Sequence, residues 1–170
     1  MNILTLNLLL STAIFWIVAR LYVVPRLATL EPRAVLMPIL LLHGMRHLGL
    51  MFLAPGVVDA GMPLAFARPA ALGDVVSAAL AMAALAALVA RAHSARLLVW
   101  IFSIVGTLDL LNAITLATIH DAAPHMGAAW WIPAFWVPAL LVTHALTFMV
   151  LRTSWRTASR GVVAGTAPSR

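Results

Sequence analysis

Five long apolar runs dominate this chain of 170 residues and restrict it to the class of membrane proteins. Each run holds about 20 residues, the length an α-helix needs to cross the hydrocarbon core of a bilayer. Because 64% of the residues are hydrophobic and 9% are charged, a water-soluble core of ordinary size could not hide the apolar surface. The predicted fold class is all-α, a polytopic transmembrane bundle of about five helices, with spans at 3–24, 34–53, 72–89, 97–119 and 128–151.

The spans form one predicted transmembrane helical domain, residues 1–151, and residues 152–170 form a basic tail that we expect to be partly disordered. The first run is expected to be retained as a span, because no basic residue precedes it and no small-residue cleavage site follows it. Prolines and glycines are frequent in 54–71 and disfavour a regular helix, so this stretch is predicted to be a surface or partly re-entrant loop.

The arginines predict the orientation of the bundle. The loop between spans one and two, the loop between spans three and four, and the tail carry Arg20, Arg26, Arg33, Arg91, Arg96, Arg152, Arg156, Arg160 and Arg170. The opposite side carries Arg68, so the positive-inside rule puts the N-terminus outside and the C-terminus in the cytoplasm. The absence of lysine among abundant Ala and Leu is typical of a high-GC bacterium, so we expect a multi-pass protein of the bacterial inner (cytoplasmic) membrane. Its expected partner is the lipid bilayer and not nucleic acid, because the arginines flank apolar runs.

Ionisable residues inside the spans are the main functional signal, since each is unfavourable in hydrocarbon unless it is paired or hydrated. Span two carries His43, Arg46 and His47, and span four carries Asp109 and Asn112. Steps of three and four residues return to one face of an α-helix, and helix rise places Arg46, His47 and Asp109 within about 5 Å of the midplane. We therefore predict a buried ion pair between Arg46 and Asp109.

These residues form the predicted site for ligand binding or proton relay, composed of His43, Arg46, His47, Asp109 and Asn112. In this hypothesis His47 donates or accepts protons, because histidine titrates closest to neutral pH, and Arg46 holds an anionic or carbonyl group. The alternative interpretation is that the ion pair only fixes which helices are neighbours. No residue is assigned a catalytic role, and the cofactor is unknown.

Two further groups of residues are candidates. His120, Asp121 and His125 follow span four and are predicted to form a polar cluster at an outer mouth, or else to be solvated loop side chains. Prolines bend the fifth span, and its tryptophans either line a pocket for a lipid or isoprenoid or anchor the helix at the membrane interface. The predicted aromatic lining consists of Trp130, Trp131 and Trp136.

A metal site is not predicted. The chain has no cysteine, and the His43–His47 segment lacks the glutamate of the zinc-protease helix while Arg46 would repel a cation. Bis-histidine haem ligation is also disfavoured, because helix rise places His144 roughly 7 Å or more from His43 in depth.

Five spans with His, Asp, Asn and Trp near the membrane centre resemble, in architecture, the emopamil-binding-protein-like sterol isomerases. That resemblance implies an enzyme acting on an isoprenoid- or sterol-like lipid, although this chain lacks the intramembrane glutamates of such chemistry. Three hypotheses stay open: a small inner-membrane protein that binds a small or lipid-soluble ligand or relays protons, an accessory subunit of a larger membrane complex, and a lipid-modifying enzyme.

Overall fold

The computed structural model describes residues 3–153, and every regular element in that range is helical. Five helical stretches are each long and apolar enough to cross a membrane, as predicted. They are α1 (Ile3–Arg26), α2 (Pro32–Leu53), α3 (Leu64–Val89), α4 (Ala95–Ile119) and α5 (Gly127–Arg152). The predicted basic tail, with Arg156, Arg160 and Arg170, lies outside the described residues.

Helix α3 is longer than the predicted third span of 72–89. It begins at Leu64, with Pro63 at the N-cap and Pro69 inside the helix. The predicted loop over 54–71 is therefore too long at its C-terminal end. Proline fixes a φ angle that suits a helix. Pro69 lies near the N-terminus of a helix of 26 residues, and its lack of an N–H removes one backbone hydrogen bond.

The loops after α2 and α4 pack against each other at one end of the bundle. The Asp59 amide donates to the His125 carbonyl at 3.0 Å, and the Ala128 amide donates to the Val57 carbonyl at 2.8 Å. Gly127 has a φ of 49°, and a Cβ on it would lie 2.6 Å from the Val57 carbonyl oxygen. Only glycine therefore fits where the two loops meet.

Two apolar clusters form the core, one toward each end of the bundle. One includes Leu36, Leu40, Ala84, Leu88, Val99, Phe102, Leu146 and Val150, and the other includes Phe52, Phe66, Ala70, Leu110, Met126, Ile132 and Leu140. On each of α2 to α5, the stretch between these two sets carries buried polar side chains, among them His43, Arg46, Ser77, Ser103 and His144. The core is thus an apolar, polar, apolar stack of three layers, and the candidate site is its middle layer.

Candidate functional site

Arg46 is the centre of the polar layer, with a side chain that is 0% exposed. Its Nε donates to Asp74 Oδ1 at 2.7 Å, and its Nη2 donates to Asp109 Oδ2 at 2.5 Å. Its Nη1 donates to the carbonyl oxygen of Gly106 at 3.1 Å. The predicted ion pair between Arg46 and Asp109 is therefore present, but it is one half of a triad. All three guanidinium nitrogens have a partner, which a buried arginine requires.

Asp74 on α3 is the functional candidate that sequence reasoning missed. The third apolar run is rich in Ala and Leu, and its one acidic residue was not included in the predicted site. The signal was nevertheless present, because an acidic residue within an apolar run needs a partner for the same reason that Asp109 does. The triad joins α2, α3 and α4 through one guanidinium.

Three glycines provide the space for these charged groups. A Cβ on Gly49 would lie 2.1 Å from Asp74 Oδ2, and a Cβ on Gly73 would lie 1.6 Å from Asp109 Oδ1. A Cβ on Gly106 would lie 2.7 Å from the His144 ring and 2.9 Å from Arg46 Nη1. Real Cβ atoms do not approach other atoms this closely, so each helix needs a residue without a side chain beside the triad.

His47 does not lie in the polar layer, so its part in a site stays a prediction. The Met45–Leu53 part of α2 is a 3₁₀ helix, in which residues three apart share a face. Arg46, Gly49 and Phe52 are accordingly buried, whereas His47 is exposed and its Nδ1 lies 3.1 Å from the Gly44 carbonyl oxygen. The prediction assumed the α-helical period of 3.6, in which His43, Arg46 and His47 fall within one sector of about 100°.

Asn112 also lies outside the polar layer, and its part in a site likewise stays a prediction. Each step of three residues along an α-helix turns the side chain direction by about 60°. Gly106 is consequently buried, Asp109 is at the edge of the packed face, and Asn112 is exposed. Of the five predicted residues, the structure brings together His43, Arg46 and Asp109 in the polar layer.

His144 on α5 lies in the polar layer, close to His43 and Arg46, where the sequence predicted His47. Its ring centroid lies 4.3 Å from that of His43, and the Phe102 ring packs 4.9 Å from His43 and 5.0 Å from His144. The predicted depth difference between the two histidines is therefore wrong. Side chains lean toward the N-terminus of their own helix, and α2 and α5 run in opposite directions, so the two rings converge.

Hydrogen bonding of the histidine pair is incomplete. His43 Nε2 lies 2.9 Å from Thr143 Oγ1, and His144 Nδ1 lies 3.4 Å from Ser103 Oγ. Within residues 3–153, the buried atoms His43 Nδ1 and His144 Nε2 have no hydrogen-bond partner, and neither has the buried Ser77 hydroxyl. Buried polar atoms without partners are rare, so the polar layer has spare capacity to accept or donate a proton.

The predicted outer cluster lies in the loop between α4 and α5, away from the triad in the chain. Asp121 is exposed, and His120 and His125 are half-buried. The His125 ring packs against Gly61, where a Cβ would lie 2.9 Å from the ring. No hydrogen bond or ion pair within residues 3–153 joins these three side chains to one another, so their role as a cluster stays a prediction.

The tryptophans stand around the bend in α5. Trp131 is exposed and its ring centroid lies 6.1 Å from that of the half-buried Trp136. Trp130 packs against the apolar core, and the buried Trp136 indole nitrogen has no hydrogen-bond partner in the described part of the chain. A π-helical turn over Ile132–Trp136 precedes the regular helix, as expected where prolines interrupt the hydrogen bonding. Their role as a ligand lining stays a prediction.

Replacing His47 by Ala should change the free energy of unfolding by less than about 0.5 kcal/mol, since the side chain is exposed and makes one local contact. Thermal unfolding of the detergent-purified protein measures this. His43→Ala is the matched comparison on the same helix, and it should be clearly destabilising because it empties a buried position. Equal losses for the two variants would mean that α2 has α-helical and not 3₁₀ periodicity beyond Gly44.

The fold and the site define a bundle of five helices, each apolar enough to cross a membrane, with a buried Arg–Asp–Asp triad at mid-height. Residues 3–152 match the family described as Domain of unknown function (DUF8737), and the chain belongs to this family. No match was found to a curated protein or to a solved structure.

Proposed function

We propose that this protein is a multi-pass protein of the bacterial inner membrane that binds and passes protons at its buried triad. The arginines support the orientation, because six of them in the described chain lie at one end of the bundle, in the adjoining ends of α1 and α2, in the α3–α4 loop, at the start of α4 and at the end of α5. These are Arg20, Arg26, Arg33, Arg91, Arg96 and Arg152. The positive-inside rule then assigns this end of the bundle to the cytoplasm and the N-terminus to the outside.

The charge balance of the triad is the observation that carries the proposal. Arg46 contacts two carboxylates, those of Asp74 and Asp109, so full ionisation leaves one negative charge without a partner. An uncompensated charge in a low-dielectric interior is strongly unfavourable. Binding one proton makes the triad neutral, and we therefore expect the resting site to hold a proton shared by the two carboxyl groups.

The surroundings of the triad support proton transfer in both directions. The Asp74 and Asp109 side chains are 13% and 11% exposed, so neither carboxyl group is fully enclosed by the packed helices. On the buried side, the His144 ring and the Arg46 guanidinium both lie beside Gly106, and the His43 ring packs against the His144 ring. An imidazolium would lie buried beside the Arg46 guanidinium, so we assign the held proton to the two carboxyl groups. The histidine nitrogens without a hydrogen-bond partner within residues 3–153 are assigned only its transit.

The Asp109→Asn variant tests this proposal. It leaves Arg46 and Asp74 as a neutral pair, so the site no longer needs a proton. Purified protein is reconstituted into liposomes with a pH-sensitive dye inside, and a potassium diffusion potential drives protons inward. Wild type should acidify the lumen, and Asp109→Asn should lower the rate by about a hundredfold or to the level of protein-free vesicles. Asp59→Asn, at an exposed loop position, is the matched control and should transport like wild type.

Infrared spectroscopy provides a second readout that does not require flux. The wild-type protein should show the carbonyl stretch of a protonated carboxylic acid, and this band should vanish in Asp109→Asn and persist in Asp59→Asn. If wild-type liposomes acidify no faster than empty ones and the band is missing, the triad is a packing device. The hypothesis of an accessory subunit would then be favoured.

A further inference from the structure

A cavity lies at the arginine-rich end of the bundle, away from the triad. It has a volume of about 340 Å³ and opens between the α1–α2 loop and the α3–α4 loop. Its lining consists of Glu31, Arg33, Leu88, Arg91, Ala92 and Ala95. The volume suits a small polar ligand or the headgroup of a lipid.

Arg91 occupies a backbone position that normally belongs to glycine. Helix α3 ends in a Schellman motif, in which the Ala92 amide donates to Ala87 O at 3.0 Å and the Arg91 amide donates to Leu88 O at 3.2 Å. Arg91 itself has a φ of 54°, a left-handed conformation that is unfavourable for a residue with a side chain. Arg91 also lines the cavity. A side chain at such a strained backbone position suggests that the arginine has a function there.

Arg33 also lines the cavity. Its Nη2 donates to the carbonyl oxygen of Leu88 in the last turn of α3, so the guanidinium bridges α2 and α3. Glu31, at the N-cap of α2, adds an exposed carboxylate. The ion pairs of residues 3–153 are both those of Arg46, so within that range Glu31, Arg33 and Arg91, which line the cavity, form no ion pair with one another. Two positive charges and one negative charge are therefore available to a ligand.

The geometry points to a site for the headgroup of a zwitterionic phospholipid with a primary amine, namely phosphatidylethanolamine. Its phosphate would bind Arg33 and Arg91, since guanidinium groups favour phosphate oxygens, and its ammonium would bind Glu31. A purely anionic headgroup would leave Glu31 facing negative charge, and a choline headgroup has no N–H to donate. Loops at the end of a bundle of membrane-crossing length are where headgroups are expected.

Lipid binding to the full chain in detergent tests the inference. Dissociation constants are measured for short-chain phosphatidylethanolamine, phosphatidylglycerol and phosphatidylcholine, and for soluble phosphoethanolamine. We expect phosphatidylethanolamine to bind at least about tenfold more tightly than the other two lipids and than the soluble headgroup. Equal affinities for the three lipids would overturn the inference, and equal affinity for phosphoethanolamine would indicate a soluble ligand instead of a lipid.

Two variants separate the roles of the charges. Arg91→Gly removes one guanidinium while suiting the positive φ, so the protein should unfold at the same or a higher temperature yet bind phosphatidylethanolamine about tenfold more weakly. Glu31→Gln should abolish the preference over phosphatidylglycerol. Arg96→Ala is the matched control, because Arg96 is exposed at the same end but does not line the cavity. Unchanged binding in Arg91→Gly would overturn the inference.

The headgroup site does not depend on the proposed proton site. Arg91→Gly should leave the proton flux into liposomes at the wild-type rate, and Asp109→Asn should leave the lipid preference unchanged. Failure of one proposal is thus distinguishable from failure of the other.

Discussion

Replacing both Asp74 and Asp109 by Asn should unfold the bundle, whereas either single replacement should be tolerated. The double variant leaves the Arg46 guanidinium charged, 0% exposed and without a carboxylate, which should lower the free energy of unfolding by about 3–5 kcal/mol. Each single variant leaves a neutral ion pair and loses one charge-assisted hydrogen bond, so its loss should be about 1 kcal/mol. Unfolding by SDS titration of the micellar protein, followed by circular dichroism, measures these values.

The double variant needs a control that makes the same change in net charge. Asp59→Asn with Asp121→Asn removes two exposed carboxylates and should change stability little, since asparagine also tolerates the positive φ of position 121. Adding Arg46→Met to the double triad variant removes the unpaired charge and should restore most of the lost stability. If the losses of Asp74→Asn and Asp109→Asn simply add, Arg46 has another partner and the triad is not a coupled unit.

Gly73→Ala should have the second largest effect, lowering the free energy of unfolding by about 1–3 kcal/mol. Alanine is favoured over glycine in a helix by about 1 kcal/mol, but here its Cβ would lie 1.6 Å from Asp109 Oδ1. The carboxyl group cannot move away without losing Arg46, so the steric term should dominate. The same denaturant titration in detergent provides the measurement.

Gly44→Ala is the matched control for this prediction. Its Cβ would meet Met82 Sδ at 2.9 Å, the far part of a flexible side chain that can move, so the variant should be neutral or slightly stabilising. Combining Gly73→Ala with Asp109→Ala should cost less than the sum of the two single changes, because truncation of Asp109 frees the space. Strict additivity would show that the defect of Gly73→Ala does not arise from the Asp109 carboxyl group.

Both proposed sites are built from charged side chains that helices or loops bring together. In the middle layer, α2, α3 and α4 meet at one guanidinium between two carboxylates, and the histidines of α2 and α5 lie beside it. At the arginine-rich end, the loops leave two guanidinium groups and one carboxylate around a cavity. The first site is too enclosed for a large ligand and suits a proton, while the second is open enough for a headgroup.

The five helices and the Arg46–Asp109 contact could be predicted from residue order alone. Apolar runs of membrane-crossing length must satisfy their backbone hydrogen bonds internally, which makes them helices wherever their side chains point. A charge inside such a run must find an opposite charge at a similar depth, and Asp109 met that condition for Arg46. Asp74, within the third run, meets the same condition, so its pairing with Arg46 could have been predicted in the same way.

Packing between helices decides that His144 lies in the polar layer and that His47 does not. The local sequence of α2 is compatible with a period of 3.6 or of 3.0, and the close approach of Gly49 to Asp74 accompanies the tighter period that turns His47 outward. His144 reaches His43 because side chains on antiparallel helices lean toward each other, a direction that counting residues along each span does not contain. Hydropathy and charge thus specify which helices form and that Arg46 must be paired. The remaining residues of the polar layer are specified by helix period and side-chain direction, because both depend on the neighbouring helices.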